Sequence, residues 1–202
     1  MNSRFFTNQE DNTLINKIEG IFKYRNIHFF DALVGYFRAS GYFKIREFVD
    51  KAEEIRILVG INIDNLVYEA HQQGLLFDSN AERAQTEFFL DIKKNIQDAE
   101  YDKDVENGML QLISDIITGK VKIRVHPKQN IHAKLYIFRE VEKHEHGYGS
   151  VITGSSNLTD AGLLRNFEFN VELRDNSDID FATETFNMLW EESVPIVNEY
   201  IV

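Results

Sequence analysis

Apolar and polar positions change rhythm along this chain, and each rhythm predicts a different element. Ala32 to Ala39 (Ala-Leu-Val-Gly-Tyr-Phe-Arg-Ala) is continuously apolar and aromatic, which predicts a buried strand. After Ser40-Gly41, apolar residues from Tyr42 to Ala52 recur at helical spacing. Ile55 to Gly60 predicts a second strand, and Ile63 onward a second helix. Strand, helix, strand in that order predicts a parallel α/β sheet with right-handed crossovers. From Asn80 to Ile117 the chain is charged, with stripes through Phe88, Phe89, Ile92 and Ile96 and then Met109, Leu110, Ile113 and Ile117. This predicts two helices parted by Tyr101 to Asp104, their stripes serving core packing.

Beyond Gly119 the texture becomes strand-like. Val121 to Val125 alternates, and Leu135 to Phe138, Ser150 to Thr153 and Phe167 to Leu173 follow as further strands. Glu140 to Gly149 is polar and predicts a hairpin loop. Asp178 to Glu192 starts acidic and carries an apolar stripe through Phe181, Phe186, Leu189 and Trp190, which predicts a closing helix. The apolar end at Tyr200 to Val202 reads as a cut from a longer polypeptide.

Composition narrows the class. The 202 residues fit one domain spanning 1–202, and 43% apolar residues with 16 Phe and 8 Tyr suffice for its core. The absence of Cys excludes disulfides, thiol nucleophiles and Cys-type zinc sites. The first residues lack the apolar core of a secretion signal, and no run is long enough to span a membrane, so a cytoplasmic protein without membrane association is expected.

Net charge is −11, which opposes indiscriminate attraction to polyanions. Its distribution is uneven, however: Lys120, Lys122, Arg124, Lys128, Lys134 and Arg139 lie in a stretch with no Asp or Glu. This strip predicts a local phosphate-facing surface, with Arg124 and Lys128 as contacts.

The candidate chemistry overlaps that strip. His132-Ala133-Lys134 opens a strand, and period two places His132, Lys134 and Tyr136 on one face. A later strand ends in Gly154-Ser155-Ser156-Asn157, where small residues admit a bound anion and supply Ser155, Ser156 and Asn157 as donors. Glu168 lies on the strand after that. Delivered to neighbouring strand ends, these residues form a cluster able to hold a phosphate.

H-x-K, a strand, then G-S-x-N resembles the signature of the phospholipase D superfamily, over roughly Ile131 to Leu173. Arg139 stands where that signature usually has Asp. With Glu168 eleven positions beyond Asn157, the pattern is more similar to the restriction-endonuclease branch, and to modules fused to bacterial superfamily-two helicases, than to the lipases. The resemblance implies an α/β/α sandwich with a central mixed, largely parallel sheet. It also implies metal-independent phosphodiester cleavage with no cofactor, by His132, Lys134, Asn157, Ser155 and Glu168. His132 would be the nucleophile, Lys134 and Asn157 would neutralise the phosphate, and Glu168 would orient the imidazole. A single copy of the signature implies a homodimer with a shared site, acting on nucleic acid, DNA before RNA, with helicase domains possible in the same polypeptide.

Other motifs carry less. His126-Pro127-Lys128 repeats H-x-K but leads into no strand, and reads as a turn with Lys128 as a phosphate contact. His144-Glu145-His146 lies in a charged loop with no further ligands nearby, so it predicts exposed loop rather than a metal site. Ser155-Ser156 lacks the G-x-S-x-G elbow of serine hydrolases. Three functions stay open: a nuclease, a nucleic-acid-binding accessory module of a helicase or restriction system, and a phospholipase, which lacks support from any basic amphipathic helix.

Overall fold

A computed structural model of the chain describes residues 3–60, 111–112, 114–116, 118–126, 131–145 and 147–195. The helices expected from Ile63 and across Asn80 to Ile117 lie outside these residues, except that 111–112 and 114–116 are helical. Lys128 and His146 also lie outside them.

Eight strands form one sheet: β1 (Phe5–Thr7), β2 (Phe29–Val34), β3 (Glu54–Gly60), β4 (Val121–His126), β5 (Lys134–Arg139), β6 (Gly149–Gly154), β7 (Phe169–Leu173) and β8 (Val194–Pro195). Their spatial order is β1-β7-β6-β5-β2-β3-β4-β8. The sheet is mixed, as expected, but it is less parallel than the resemblance implied. Parallel pairing joins β2 to β3 and β3 to β4, and the other pairings are antiparallel. For β5 and β6, connection length explains the antiparallel pairing. The link from Glu140 to Tyr148 between β5 and β6 is a loop, and a parallel pair needs a crossover of a dozen or more residues.

Helices cover both faces. Helix α1 (Leu14–Tyr24) begins at Thr13, whose hydroxyl accepts the N–H of Asn16 at 3.3 Å, satisfying one of the donors that the first turn leaves unpaired. It buries Leu14, Ile18, Ile21 and Phe22. With Tyr42, Ile45 and Val49 of α2 (Ala39–Val49), these residues cover Phe30, Ala32, Val34, Ile57, Val59, Ile123, Tyr136 and Phe138 of the sheet. On the opposite face α3 (Asn176–Glu191) lays Ile179, Ala182, Phe186, Leu189 and Trp190 over Leu33, Leu58, Ile137 and Val151. Each large side chain fully buried in this way contributes about 1.5–3 kcal/mol. Strand alternation assigns faces: on β5, Tyr136 and Phe138 face α1 and α2, whereas Ile137 faces α3.

The first strand ends earlier than its apolar run suggested. The β2 ladder stops at Val34. Gly35 to Arg38 then turns aside, with Phe37 making a parallel bridge to Leu158 and the N–H of Arg38 donating to the Leu158 carbonyl at 3.1 Å. This detour brings the end of β2 against the Gly154–Asn157 loop.

Candidate active site

Register sets the site. Lys134 pairs with Val34 on one side, while on the other Leu135 pairs with Thr153 and Gly154 pairs with Asn170. The H-x-K segment and the G-S-S-N loop therefore reach the same end of the sheet, beside the carboxyl ends of β2 and β3. Ile131 crosses that end: a side chain at Gly60 would collide with its carbonyl, and one at Gly35 would begin 3.2 Å from it.

Gly35 is the meeting point. A Cβ there would lie 3.6 Å from the Asn157 side-chain oxygen and 3.6 Å from the His132 Cα, so those atoms are no further apart than twice that distance. The Asn157 oxygen also accepts the backbone N–H of Tyr36 at 3.0 Å. That bond fixes the amide orientation and turns its two N–H donors to the opposite side of the group. His132 is exposed, and Lys134 Nζ donates to the His132 carbonyl at 2.6 Å. An ammonium has three donors, so this bond occupies one of them.

The loop after β6 is held by buried polar groups. A side chain at Gly154 would collide with the Phe169 carbonyl and with Asn170, which explains the glycine. Ser156 is fully buried: its carbonyl accepts from Tyr136 Oη at 2.9 Å, its hydroxyl accepts from Asn170 Nδ2 at 2.9 Å, and its N–H donates to Asn170 Oδ1 at 3.4 Å. Ser156 is thus an anchor of the loop, not the phosphate contact that its sequence position suggested. Burial, and then the Glu168 carboxylate, push Tyr136 above the usual tyrosine range, so its phenol stays protonated as a donor. Behind the loop, the π-helical turn Ala161–Arg165 packs Gly162 so closely on Asn157 that a Cβ there would strike the Asn157 carbonyl.

Ser155 is exposed, donates to Glu168 and accepts the N–H of Phe169 at 3.0 Å. The other oxygen of Glu168 accepts from Asn166 Nδ2 at 3.2 Å. Glu168 therefore braces Ser155 within this chain, in place of the expected bond to the imidazole. Tyr36, Asn166 and Asn170 escaped the sequence reading. The signal for Asn170 was available: it shares a strand face with Glu168 and Glu172, and three polar residues at period two ending beside a motif mark a polar face turned inward.

The basic strip divides. Lys120 donates to the carbonyls of Asp50 and Ala52 at 2.6 and 3.0 Å, Lys122 pairs with Glu54 at 2.6 Å, and Arg139 donates to Asp31 at 2.8 Å. Arg124, expected at the phosphate, lies on the α3 face. Its guanidinium stacks 5.1 Å from the Trp190 ring centroid and donates to the Trp190 carbonyl at 2.7 Å. Alternation explains the error, since Val121, Ile123 and Val125 face α1 and α2, which sends Arg124 to the other side. His126 is buried at the end of β4, with Nε2 3.4 Å from Glu192. His144 is exposed, as expected of its loop. Among the described residues, no helix is long and apolar enough to cross a membrane.

Residues 40–190 match the family described as cardiolipin synthase, phospholipase D-like domain. In fold, the chain is similar to Nuc, a phospholipase D family member from Salmonella typhimurium, with a TM-score of 0.55 at 13% identity over 95% of both chains. It is similar to polyphosphate kinase from Porphyromonas gingivalis, with a TM-score of 0.55 at 10% identity over 93% of this chain and 26% of the other. It is similar also to phosphatidylserine synthase from Haemophilus influenzae, with a TM-score of 0.50 at 13% identity over 95% of this chain and 38% of the other. At these identities the likeness is one of fold. No curated protein matches the chain.

Proposed function

The chain belongs to the phospholipase D-like family, and we propose that it is a metal-independent phosphodiesterase acting on nucleic acid, with its site shared between two copies of the chain. The observation that carries this reading is the meeting of His132 and Asn157 around Gly35, with the Lys134 ammonium on the His132 carbonyl.

A phosphodiester resists attack because its charge repels nucleophiles. Lys134 Nζ and the Asn157 N–H groups neutralise the non-bridging oxygens. A neutral imidazole nitrogen of His132 attacks phosphorus, the bond from phosphorus to the leaving oxygen breaks, and His132 of the partner subunit supplies that oxygen with a proton. The same partner imidazole then takes a proton from water, which attacks the phosphohistidine and releases the second product. The exposure of His132 supports the two-copy arrangement, because a second chain can approach it.

Titrating wild-type protein with His132→Ala protein under conditions of subunit exchange tests the shared site. Activity should fall as the square of the wild-type fraction, and a linear fall would overturn it. Cleavage should persist in excess chelator, and its loss would overturn the metal-independent route. A second reading, an accessory module that holds nucleic acid without turnover, is favoured by Glu168 being bonded to Ser155 and Asn166. Binding of DNA and RNA without cleavage, and without hydrolysis of phospholipid vesicles, would select it.

A further inference from the structure

Four exposed aromatic residues lie around the site, and two of them, Tyr36 and Phe169, attach to it through the backbone. Tyr36 is 55% exposed, and its own N–H fixes the Asn157 carboxamide. Phe169 is 56% exposed, and its own N–H donates to the Ser155 hydroxyl. Phe167 lies two residues before it, on the far side of Glu168, and is 68% exposed. Phe5, on the neighbouring edge strand, stacks on Phe169 with ring centroids 5.4 Å apart and 28° between planes.

Exposed large rings expose apolar area at a cost, and β7 does so with an inverted pattern. Its polar residues Asn170 and Glu172 are buried while Phe169 is presented to solvent. Stability alone favours the opposite arrangement. Non-specific duplex affinity comes from several Lys and Arg side chains on phosphates. Here Lys120, Lys122, Arg124 and Arg139 of the basic strip are engaged within the chain, and the net charge is −11. With these four cations already partnered, a part of the ligand other than its charge offers a further source of affinity. Bases of a single strand supply it, because each has an open π-face that an aromatic ring can stack upon, whereas duplex bases are already stacked on each other.

We propose that Tyr36 on one side and the Phe5–Phe169 stack with Phe167 on the other are base-stacking platforms, and that the substrate is a single-stranded nucleic acid threaded past His132. This rests on the phosphodiesterase reading and adds the substrate class.

Fluorescence anisotropy with the His132→Ala protein, which holds its ligand uncut, tests the proposal. The probes are labelled oligo(dT), oligo(U) and an abasic deoxyribose-phosphate strand, each about 20 nucleotides, and a duplex of about the same length, long enough for a typical single-strand site. Whichever sugar is preferred, oligo(dT) or oligo(U) should bind roughly ten-fold or more tighter than the abasic strand and the duplex at equal salt. Tyr36→Ala and Phe169→Ala should each remove much of that gain while leaving abasic affinity unchanged. Phe169→Leu keeps the apolar bulk but has no ring, so it should lose the gain as well. Equal affinity for the abasic strand, or full retention in Phe169→Leu, would overturn the proposal. So would losses that track dissociation to a smaller species in sedimentation velocity, because the rings would then seat a second copy of the chain. Base-independent binding with intact cleavage by the wild type overturns the stacking and spares the phosphodiesterase reading. Base-dependent binding without any cleavage does the reverse.

Discussion

The side-chain oxygen of Asn157 accepts the backbone N–H of Tyr36 at 3.0 Å, a bond between residues 121 positions apart. It makes the asparagine serve twice, with its oxygen anchoring the segment after β2 and its nitrogen presented as a donor. Asn157→Asp preserves the acceptor and replaces the donor with negative charge. Activity should therefore fall about 100-fold or more, while the melting temperature changes little. Asn157→Ala removes both functions and should cost about 1 kcal/mol of stability as well. Initial rates and thermal melts on the two variants separate the roles.

Gly35 offers a steric test of the same convergence. A methyl group there would begin 3.2 Å from the Ile131 carbonyl and 3.6 Å from both the Asn157 oxygen and the His132 Cα. The tight carbonyl contact forces a shift of a few tenths of an ångström, and the atoms that shift belong to the site. Gly35→Ala should thus lower kcat about ten-fold or more while costing only about 1 kcal/mol of stability, since misplaced catalytic groups lose rate steeply. A loss of stability without a loss of rate would place the convergence elsewhere.

Much of the candidate site's arrangement was legible because its residues are written in contiguous runs: H-x-K before a strand, G-S-S-N after one. What escaped was set by which way a strand faces. In Phe167 to Leu173 the alternation is plain, yet the inward face at Asn170 is polar and the outward face at Phe169 aromatic. Periodicity gives two faces and does not say which one meets the core. The same ambiguity sent Arg124 to the wrong side of β4. β1 was missed because three residues are too few to show a period. Helix α1 was missed despite a readable signal, Thr13 followed by Leu14, Ile18, Ile21 and Phe22 at helical spacing. The order of strands depends on pairings between distant segments, such as Phe5 with Val171, that no local pattern encodes.

Arg139 stands where the family's signature usually has Asp, and its surroundings explain why. It donates to Asp31, which is almost fully buried and also receives two bonds from Arg56 at 2.6 and 2.9 Å. Arg56 in turn stacks against Phe186 and Trp190, with centroid distances of 4.8 and 5.4 Å. The residue thus belongs to a structural charge cluster at the end of β5 away from His132. Arg139→Asp sets two carboxylates against each other and should destabilise by about 3–5 kcal/mol, more than Arg139→Met does. Chemical denaturation of both variants measures the order, and a stable, more active Arg139→Asp protein would contradict it.

Another buried carboxylate provides a test in pH. Asp115 accepts from Tyr42 at 2.9 Å, from Arg46 at 2.7 and 3.1 Å and from Gln111 at 2.9 Å, tying the helical residues around it to α2. Burial alone would raise its pKa, but the bonds from Arg46, Gln111 and Tyr42 outweigh burial and hold it below the ordinary carboxylate range. Because the folded pKa is the lower one, the unfolded chain binds the proton more readily. The ionised carboxylate therefore stabilises the fold above the ordinary carboxylate range, and that contribution is lost as pH falls through the depressed value. Arg46→Met removes the charge that holds the pKa down and leaves a buried carboxylate with fewer donors. It should cost on the order of 3 kcal/mol at neutral pH. In acid the carboxylate becomes protonated in the variant before it does in the wild type, so the gap between the two should narrow as pH falls toward the lowered pKa. Urea unfolding of both proteins at neutral and acid pH measures that gap, and a gap independent of pH would mean that Arg46 acts by packing alone.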